Sequence, residues 1–159
     1  GNTVTLAGYL NLLSDSGLVT GLQKFSIDVA RKRASIPKYQ VYNNALLSSQ
    51  LGFTFQEAVS DSKQWGQFFE SAIGAYILSE AFTHRFEVFY WRDGNDEVDF
   101  ILKKNQKFIA IEVKSNGEAY TTGLERFRNL FHPSAMFIVG EKGISPEVFL
   151  NMDLRKLFE

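Results

Sequence analysis

The sequence predicts an α/β fold in which a mixed central sheet is flanked by helices, with its core elements in the order αβββαβ. Apolar residues recur every three to four positions over 61–81, which is the spacing of a long amphipathic helix. Three apolar segments follow, over 85–92, 97–103 and 107–114. Short turn-like connections separate them, so we expect an antiparallel meander.

The end of the chain predicts a strand that pairs in parallel. A helix is predicted over 122–130 and a strand over 135–139. Because a helix connects them, the last strand is expected beside the third strand of the meander, reached by a right-handed crossover. The third strand reads FIAIEVK, with apolar residues at adjacent as well as alternate positions, as in a central strand buried on both faces. Residues 146–158 are predicted to close the domain as a strand or a helix.

A small helix and hairpin are predicted to precede this core. Leucine and tyrosine side chains recur at helical spacing over 5–16, and Gly17 is suited to end the helix. Two short strands are predicted over 18–25 and 38–43, with a polar loop between them. A helix followed by a long-looped hairpin indicates the second half of a winged helix.

The predicted linker lies after the hairpin. Residues 44–57 indicate a short helix or turns that end near Gly52. We therefore predict a partial winged-helix-like segment over 1–49 and a second domain over 50–159.

Composition excludes several classes of protein. The 159 residues are 45% hydrophobic and 22% charged, which is ordinary for a chain with a globular core. There is no cysteine, so disulfides, thiol catalysis and thiolate metal sites are excluded. The formal net charge is −1, so any nucleic acid has to be bound by a local basic patch. No segment resembles a membrane span or signal peptide, and we expect a cytoplasmic protein without a membrane partner. The chain opens on Gly1 without a methionine, which indicates a fragment of a longer protein.

The chemistry is predicted to lie on two neighbouring strands. Glu112 and Lys114 are two residues apart and share one face of their strand, while Val113 turns away. If the strands over 97–103 and 107–114 pair antiparallel, Asp99 comes level with Glu112, and two carboxylates converge with a lysine. Oxygen-rich groups of this kind suit Mg²⁺ or Mn²⁺.

Such a cluster has the parts that phosphodiester hydrolysis needs. A cation held by Asp99 and Glu112 would neutralise the phosphate, and Lys114 would orient or help deprotonate the attacking water. The carbonyl of Val113 is a further candidate ligand. Glu70, next to the core-facing stripe of its helix, is a candidate outer ligand or water-orienting group. A structural ion pair at a strand end, with Glu70 as an ordinary surface residue, is the open alternative.

An aspartate on one strand, Glu-x-Lys on the next, a glutamate on the preceding helix and the αβββαβ order together resemble the PD-(D/E)XK, or restriction-endonuclease-like, nuclease superfamily. The resemblance implies catalytic roles for Asp99, Glu112 and Lys114, with Glu70 as the helix glutamate. It also implies a deoxyribonuclease that uses Mg²⁺ or Mn²⁺. Branched-DNA resolvases of the superfamily often carry a glutamine soon after the lysine, whereas residues 115–117 here are Ser-Asn-Gly.

Longer stretches resemble a domain of unknown function at the C-terminus of prokaryotic AAA+ ATPases. The segments are GQFFESAIGAYIL, FYWRDGNDEVDFIL and FIAIEVKSN, and RKRASIPKYQVYNNALL resembles the stretch before that domain. This resemblance covers most of the chain and implies an N-terminal ATPase module as partner. Since the sequence has no P-loop motif, we expect this fragment to bind no nucleotide.

A basic stretch in the hairpin is the candidate DNA contact. Arg31, Lys32, Arg33 and Lys38 are expected to reach DNA phosphates, with a merely solvated loop as the alternative. Two function classes stay open. One is a metal-dependent deoxyribonuclease domain. The other is a catalytically inactive module that binds DNA or protein and regulates or targets the ATPase.

Overall fold

A computed structural model describes residues 3–26, 36–117 and 122–159, with side chains described from residue 8 onward. It confirms an α/β fold with a mixed sheet. The helices are α1 (Thr3–Asp15), α2 (Asn44–Leu51), α3 (Phe55–Ser60), α4 (Ser62–His84), α5 (Thr122–Phe131) and α6 (Pro146–Phe149), with a 3-10 helix at Leu154–Phe158. The strands are β1 (Val19–Lys24), β2 (Lys38–Val41), β3 (Glu87–Asp93), β4 (Asp96–Lys104), β5 (Lys107–Lys114) and β6 (Ala135–Gly140).

The six-stranded sheet has the order β2-β1-β3-β4-β5-β6. The predicted meander is confirmed, because β3 and β4, and β4 and β5, pair antiparallel. The predicted parallel pairing of β6 with β5 is also confirmed. The N-terminal hairpin extends this same sheet, since β1 pairs in parallel with β3. The division of the chain near residue 49 stays a prediction.

Helix α4 is the long helix that the apolar spacing predicts. Asp61 caps it by accepting from the backbone N–H of Lys63 and Gln64. The helix runs on to His84, beyond the predicted end at 81, and Arg85 then takes the left-handed conformation with φ 58°. Residues 82–84 are Phe-Thr-His, and Phe82 is exposed, so the core-facing apolar periodicity stops before the helix does, which is why the sequence underestimates its length. Within the described ranges, no helix has the length and apolar character needed to cross a bilayer.

The region between the hairpin and α4 holds two short helices. The first ends at Gly52 with φ 65°, as the sequence predicts. The second begins with a capping box, in which the Glu57 N–H donates to Thr54 Oγ1 (3.3 Å) and the Thr54 N–H donates to Glu57 Oε2 (2.8 Å). Turns alone were the alternative expectation for this region, and these caps explain why helices form.

The C-terminal segment is helical rather than extended, which settles the alternatives for residues 146–158. Contacts with polar side chains fasten it to the end of α4. His84 Nε2 lies 3.4 Å from Glu80 Oε2 and 3.8 Å from Asp153 Oδ1, and the Leu154 N–H donates to Glu80 Oε2 (3.3 Å). Glu80, His84 and Asp153 have side chains of the types that bind metals, but attachment of the C-terminal segment to α4 explains their contacts.

The sheet has an apolar layer on each face. Ile73 and Ile77 of α4 are buried against one face together with β4 and β5 side chains. The other face is largely aromatic, with Phe127 of α5 fully buried and Trp91 only 3% exposed. These layers hold β4 and β5, which carry the candidate site.

Gly123→Ala is expected to lower the free energy of unfolding by about 1–3 kcal/mol, because a Cβ at this position would lie 2.1 Å from the Glu97 carbonyl oxygen of β4. Gly8→Ala in α1 is the control. Its Cβ meets no heavy atom within 4 Å, so better helix propensity should leave stability unchanged or raised by up to about 1 kcal/mol. Urea unfolding of both variants checks this, and equal effects would contradict the packing of α5 on β4.

Candidate active site

Asp99 lies at an irregularity in β4 that re-aims its side chain. The register of β3 and β4 shifts by one residue here, so that Asp99 and Phe100 both lie opposite Tyr90. Pairing of β4 with β5 ends at Phe100, opposite Ile111. Beyond that point the Asp99 side chain provides a hydrogen bond between the two strands, because its Oδ2 accepts from the Val113 N–H at 2.8 Å. Bulges of this kind commonly occur next to active sites.

A lysine ammonium lies among three carboxylates beside this bulge. Lys38 Nζ, from β2, is 2.7 Å from Glu70 Oε1, 3.1 Å from Glu97 Oε1 and 3.3 Å from Asp99 Oδ1. It also lies 5.6 Å from the ring centroid of Phe100. Burial disfavours its charge, but Asp99 and the two glutamates outweigh burial and hold the pKa of Lys38 above its ordinary value.

Glu112 forms the second part of the site. Glu112 is only 4% exposed, and Lys114 Nζ lies 3.1 Å from Glu112 Oε1. Its Oε2 is buried and has no hydrogen-bond partner among the described residues. Burial, followed by the charge of Asp99, raises the pKa of Glu112 to about 7, and Lys114 only partly offsets this. This carboxyl therefore titrates near neutral pH.

The charges of the site do not balance. We define the carboxylate cluster as Glu70, Glu97, Asp99 and Glu112. Its close cationic contacts among the described residues are the ammonium groups of Lys38 and Lys114, with the exposed Arg92 Nε at 3.6 Å from Glu97. Burial and the charge of Asp99 also raise the pKa of Glu70. Burial is the main cause of both raised pKa values, and the negative charge of Asp99 adds to it, while Lys38 and Lys114 offset it only in part.

Two cavities adjoin the carboxylate cluster. One, of about 620 Å³, has the basic side chains of Lys24, Lys38 and Arg92 on its lining, together with Glu97. The other, of about 590 Å³, is lined in part by Lys38 and Glu70. Lys38 therefore stands between the two cavities, and the first one offers several cations beside the cluster. We call the first cavity the basic cleft.

The predicted catalytic residues occupy two linked groups. Glu70 and Asp99 meet at the Lys38 ammonium, and Glu112 pairs with Lys114. Antiparallel pairing brings Asp99 level with Glu112, as the sequence predicts, and their charges interact. Val113 takes part through its N–H, whereas its carbonyl as a metal ligand stays a prediction.

The predicted DNA-contact residues have different outcomes. Residues 31–33, which are Arg-Lys-Arg, lie outside the described residues. Lys38 is not on an exposed loop, and its ammonium contacts carboxylates, so its contact with DNA stays a prediction. Sequence reasoning missed Lys24, Arg92 and Glu97. Only Glu97 had a signal, because it lies two residues before Asp99 on the same strand.

The donor set fits a hard divalent cation. Carboxylates suit Mg²⁺ and Mn²⁺, and Asp99 and Glu112 are both nearly buried. Glu112 Oε2 is an acceptor that finds no partner among the residues that the structure describes, and burying an acceptor in this way is costly. Both features suit a cation that these residues would share.

The fold and the site define an α/β domain with a carboxylate cluster at a bulge in a mixed sheet. The chain belongs to the family described as Domain of unknown function (DUF4143), whose profile matches residues 65–146. That match runs from α4 to the start of α6 and includes all four predicted catalytic residues.

One solved structure is distantly similar to the chain. The crystal structure of protein VC1899 from Vibrio cholerae is 16% identical, with a TM-score of 0.37 over 86% of this chain. The match spans 40% of that protein. No curated protein matches the chain.

Stability should fall as pH rises from about 4.5 to about 7, because folded Glu112 binds a proton that the unfolded chain has released. Glu112→Gln removes the titrating carboxyl group and with it this pH-dependent contribution to the free energy of unfolding. Its free energy of unfolding relative to wild type should therefore rise by at most about 3 kcal/mol between pH 4 and pH 8. Denaturant unfolding across this range measures the difference. Glu87→Gln, on an exposed part of β3, should leave the pH profile unchanged, and a flat difference for Glu112→Gln would refute the raised pKa.

Proposed function

We propose that the chain is a metal-dependent deoxyribonuclease domain that hydrolyses DNA phosphodiester bonds. The observation that carries the proposal is the Glu112 carboxylate. It is 4% exposed, its Oε2 has no hydrogen-bond partner in the described part of the chain, and it lies close enough to Asp99 for their charges to interact. Keeping two nearly buried carboxylates together costs free energy in a protein without a cation. A site that binds a divalent ion accounts for that cost.

Each candidate residue has a defined role in this proposal. Asp99 and Glu112 would hold Mg²⁺ or Mn²⁺, with the Val113 carbonyl as a further ligand. The ion, when bound, supplies charge neutralisation at the phosphate and at the departing oxygen. Glu70 and Lys114 would orient the attacking water, and the positive charge of Lys114 would help that water lose its proton by stabilising the hydroxide that forms.

The basic cleft supports DNA as the substrate. Lys24, Lys38 and Arg92 line it directly beside the carboxylate cluster. Cationic side chains of this kind bind the phosphate backbone without regard to sequence. Arg31, Lys32 and Arg33 stay predicted contacts with DNA phosphates, because they lie outside the described residues. Since the net charge is −1, this local patch and the bound ion have to provide the attraction to DNA.

The family resemblances supply the wider setting of the proposal. The motif pattern supports membership of the PD-(D/E)XK superfamily, and the longer stretches support a place at the C-terminus of a prokaryotic AAA+ ATPase. The partner is then the ATPase part of the same cytoplasmic protein. This fragment itself binds no nucleotide in the proposal, because it lacks a P-loop sequence.

A second candidate function rests on a different observation. Lys38 contacts Glu70, Glu97 and Asp99 at once, so much of the carboxylate cluster is already compensated by a residue of the chain. A compensated cluster suits a catalytically inactive module that binds DNA or protein and regulates or targets the ATPase. Such a module keeps the ion pairs as structure and has no need of a metal.

Cleavage separates the two candidates. Asp99→Asn should lower cleavage of plasmid and branched DNA in MgCl₂ or MnCl₂ by roughly a hundredfold or more, the size of losing one preorganised charged group. The side-chain oxygen of the introduced asparagine can still accept from the Val113 N–H, which limits structural damage. Gel analysis of the products makes the measurement.

The control variant is Glu87→Gln, which should cleave as wild type does. Equal traces of cleavage in wild type and Asp99→Asn would indicate contamination. Absence of cleavage by wild type, both alone and joined to its ATPase module, would favour the inactive module.

Metal binding gives a readout that is independent of turnover. Saturating MnCl₂ should stabilise wild type by about 2.7 kcal/mol when its concentration is a hundred times the Kd. Asp99→Asn and Glu112→Gln should each lose most of this effect, because each removes a ligand charge. Thermal unfolding with and without MnCl₂ measures it. Stabilisation that persists in both variants would place the ion elsewhere.

A further inference from the structure

We propose that Lys38 is the resident counter-ion of the carboxylate cluster, and that a divalent cation displaces its ammonium, which then binds a DNA phosphate in the basic cleft. This inference rests on the proposed function and deepens it. It assigns to one lysine both the occupation of the site before metal binds and a contact with substrate afterwards.

The contacts of Lys38 are those of a bound cation rather than of a surface lysine. Its Nζ lies within 3.3 Å of oxygens from Glu70, Glu97 and Asp99, which come from α4 and β4. An ammonium has three donors, and three carboxylates surround this one. The Lys38 side chain is 23% exposed, so the contacts are partly shielded from water.

A divalent ion and this ammonium compete for the same oxygen. The proposed ligand Asp99 uses its Oδ2 to accept from the Val113 N–H, and its Oδ1 contacts Lys38. Because Oδ2 already accepts this hydrogen bond, we infer that an incoming ion takes Oδ1, the oxygen that Lys38 holds. Two cations at one carboxylate also repel each other strongly at short range. Binding of the ion and release of the ammonium are consequently one exchange.

The released ammonium has a place to go. Lys38 already lines the basic cleft together with Lys24 and Arg92. Its four-carbon stem is flexible, so the ammonium can swing while the backbone stays paired in β2. A phosphate in the cleft supplies the negative charge that the ammonium loses. Metal and DNA should therefore bind cooperatively, and the coupling should depend on Lys38.

Lys38→Met tests the exchange because it removes the charge and keeps an apolar stem of similar length. Without the competing ammonium, its affinity for Mn²⁺ should rise by about tenfold or more, measured by calorimetry with MnCl₂ alone. Its affinity for a short DNA duplex in MnCl₂ should fall, measured by fluorescence anisotropy with the duplex checked for cleavage afterwards. A purely structural role would weaken both.

Two further variants are the controls. Lys24 lines the same cleft but forms no ion pair with the carboxylate cluster among the described residues. Lys24→Met should therefore weaken DNA binding and leave Mn²⁺ affinity unchanged. Lys38→Arg keeps the charge, so its Mn²⁺ affinity should stay within about threefold of wild type. Circular dichroism will show which variants are folded. If Lys38→Met does not fold, Lys38→Arg still tests the role of the charge at this position.

The outcomes separate this inference from the proposed function. Mn²⁺ binding that depends on Asp99 but is unchanged or weaker in Lys38→Met would overturn the exchange and leave the nuclease proposal standing. No Mn²⁺ binding by wild type or any Lys38 variant would overturn both. If Lys38→Arg binds Mn²⁺ as tightly as Lys38→Met does, charge is not the cause and the inference fails.

Discussion

The hydrogen bond from the Val113 N–H to Asp99 Oδ2 is the contact on which the site depends. It forms where the backbone ladder between β4 and β5 stops, and it keeps the two strands joined there. The same bond leaves Oδ1 turned toward Lys38. The Asp99 carboxylate thus uses one oxygen to join two strands of the sheet and the other to bind the lysine of the site. Structure and chemistry are coupled at a single side chain.

The electrostatics of the site show why such a cluster is informative. Burial raises the pKa of both Glu70 and Glu112, and the charge of Asp99 adds to the effect in each case. An arrangement selected for stability alone would space these carboxylates apart or surround them with donors. Perturbed groups that converge in this way are typical of functional sites, although structural ion pairs also produce them.

Local patterns predicted most of the sheet. They also predicted that Glu112 would lie near both Lys114 and Asp99. The meander and the face shared by Glu112 and Lys114 follow from alternation within single strands. The bulge at Asp99 has no such signal, because it depends on how β3 and β4 are paired. The position of Lys38 depends on the parallel pairing of β1 with β3, which joins distant parts of the chain. Periodicity carries no information on a pairing of that kind.

The long-range origin of the Lys38 contacts affects how the domain folds. Lys38 and Asp99 are 61 positions apart, whereas β3, β4 and β5 are joined by short turns. Contacts between neighbouring segments close small loops and form early, while the hairpin has to close a far larger loop against β3. The meander can thus assemble before the hairpin arrives. We therefore expect the carboxylates of β4 and β5 to be brought together first, and the lysine that compensates them to dock later.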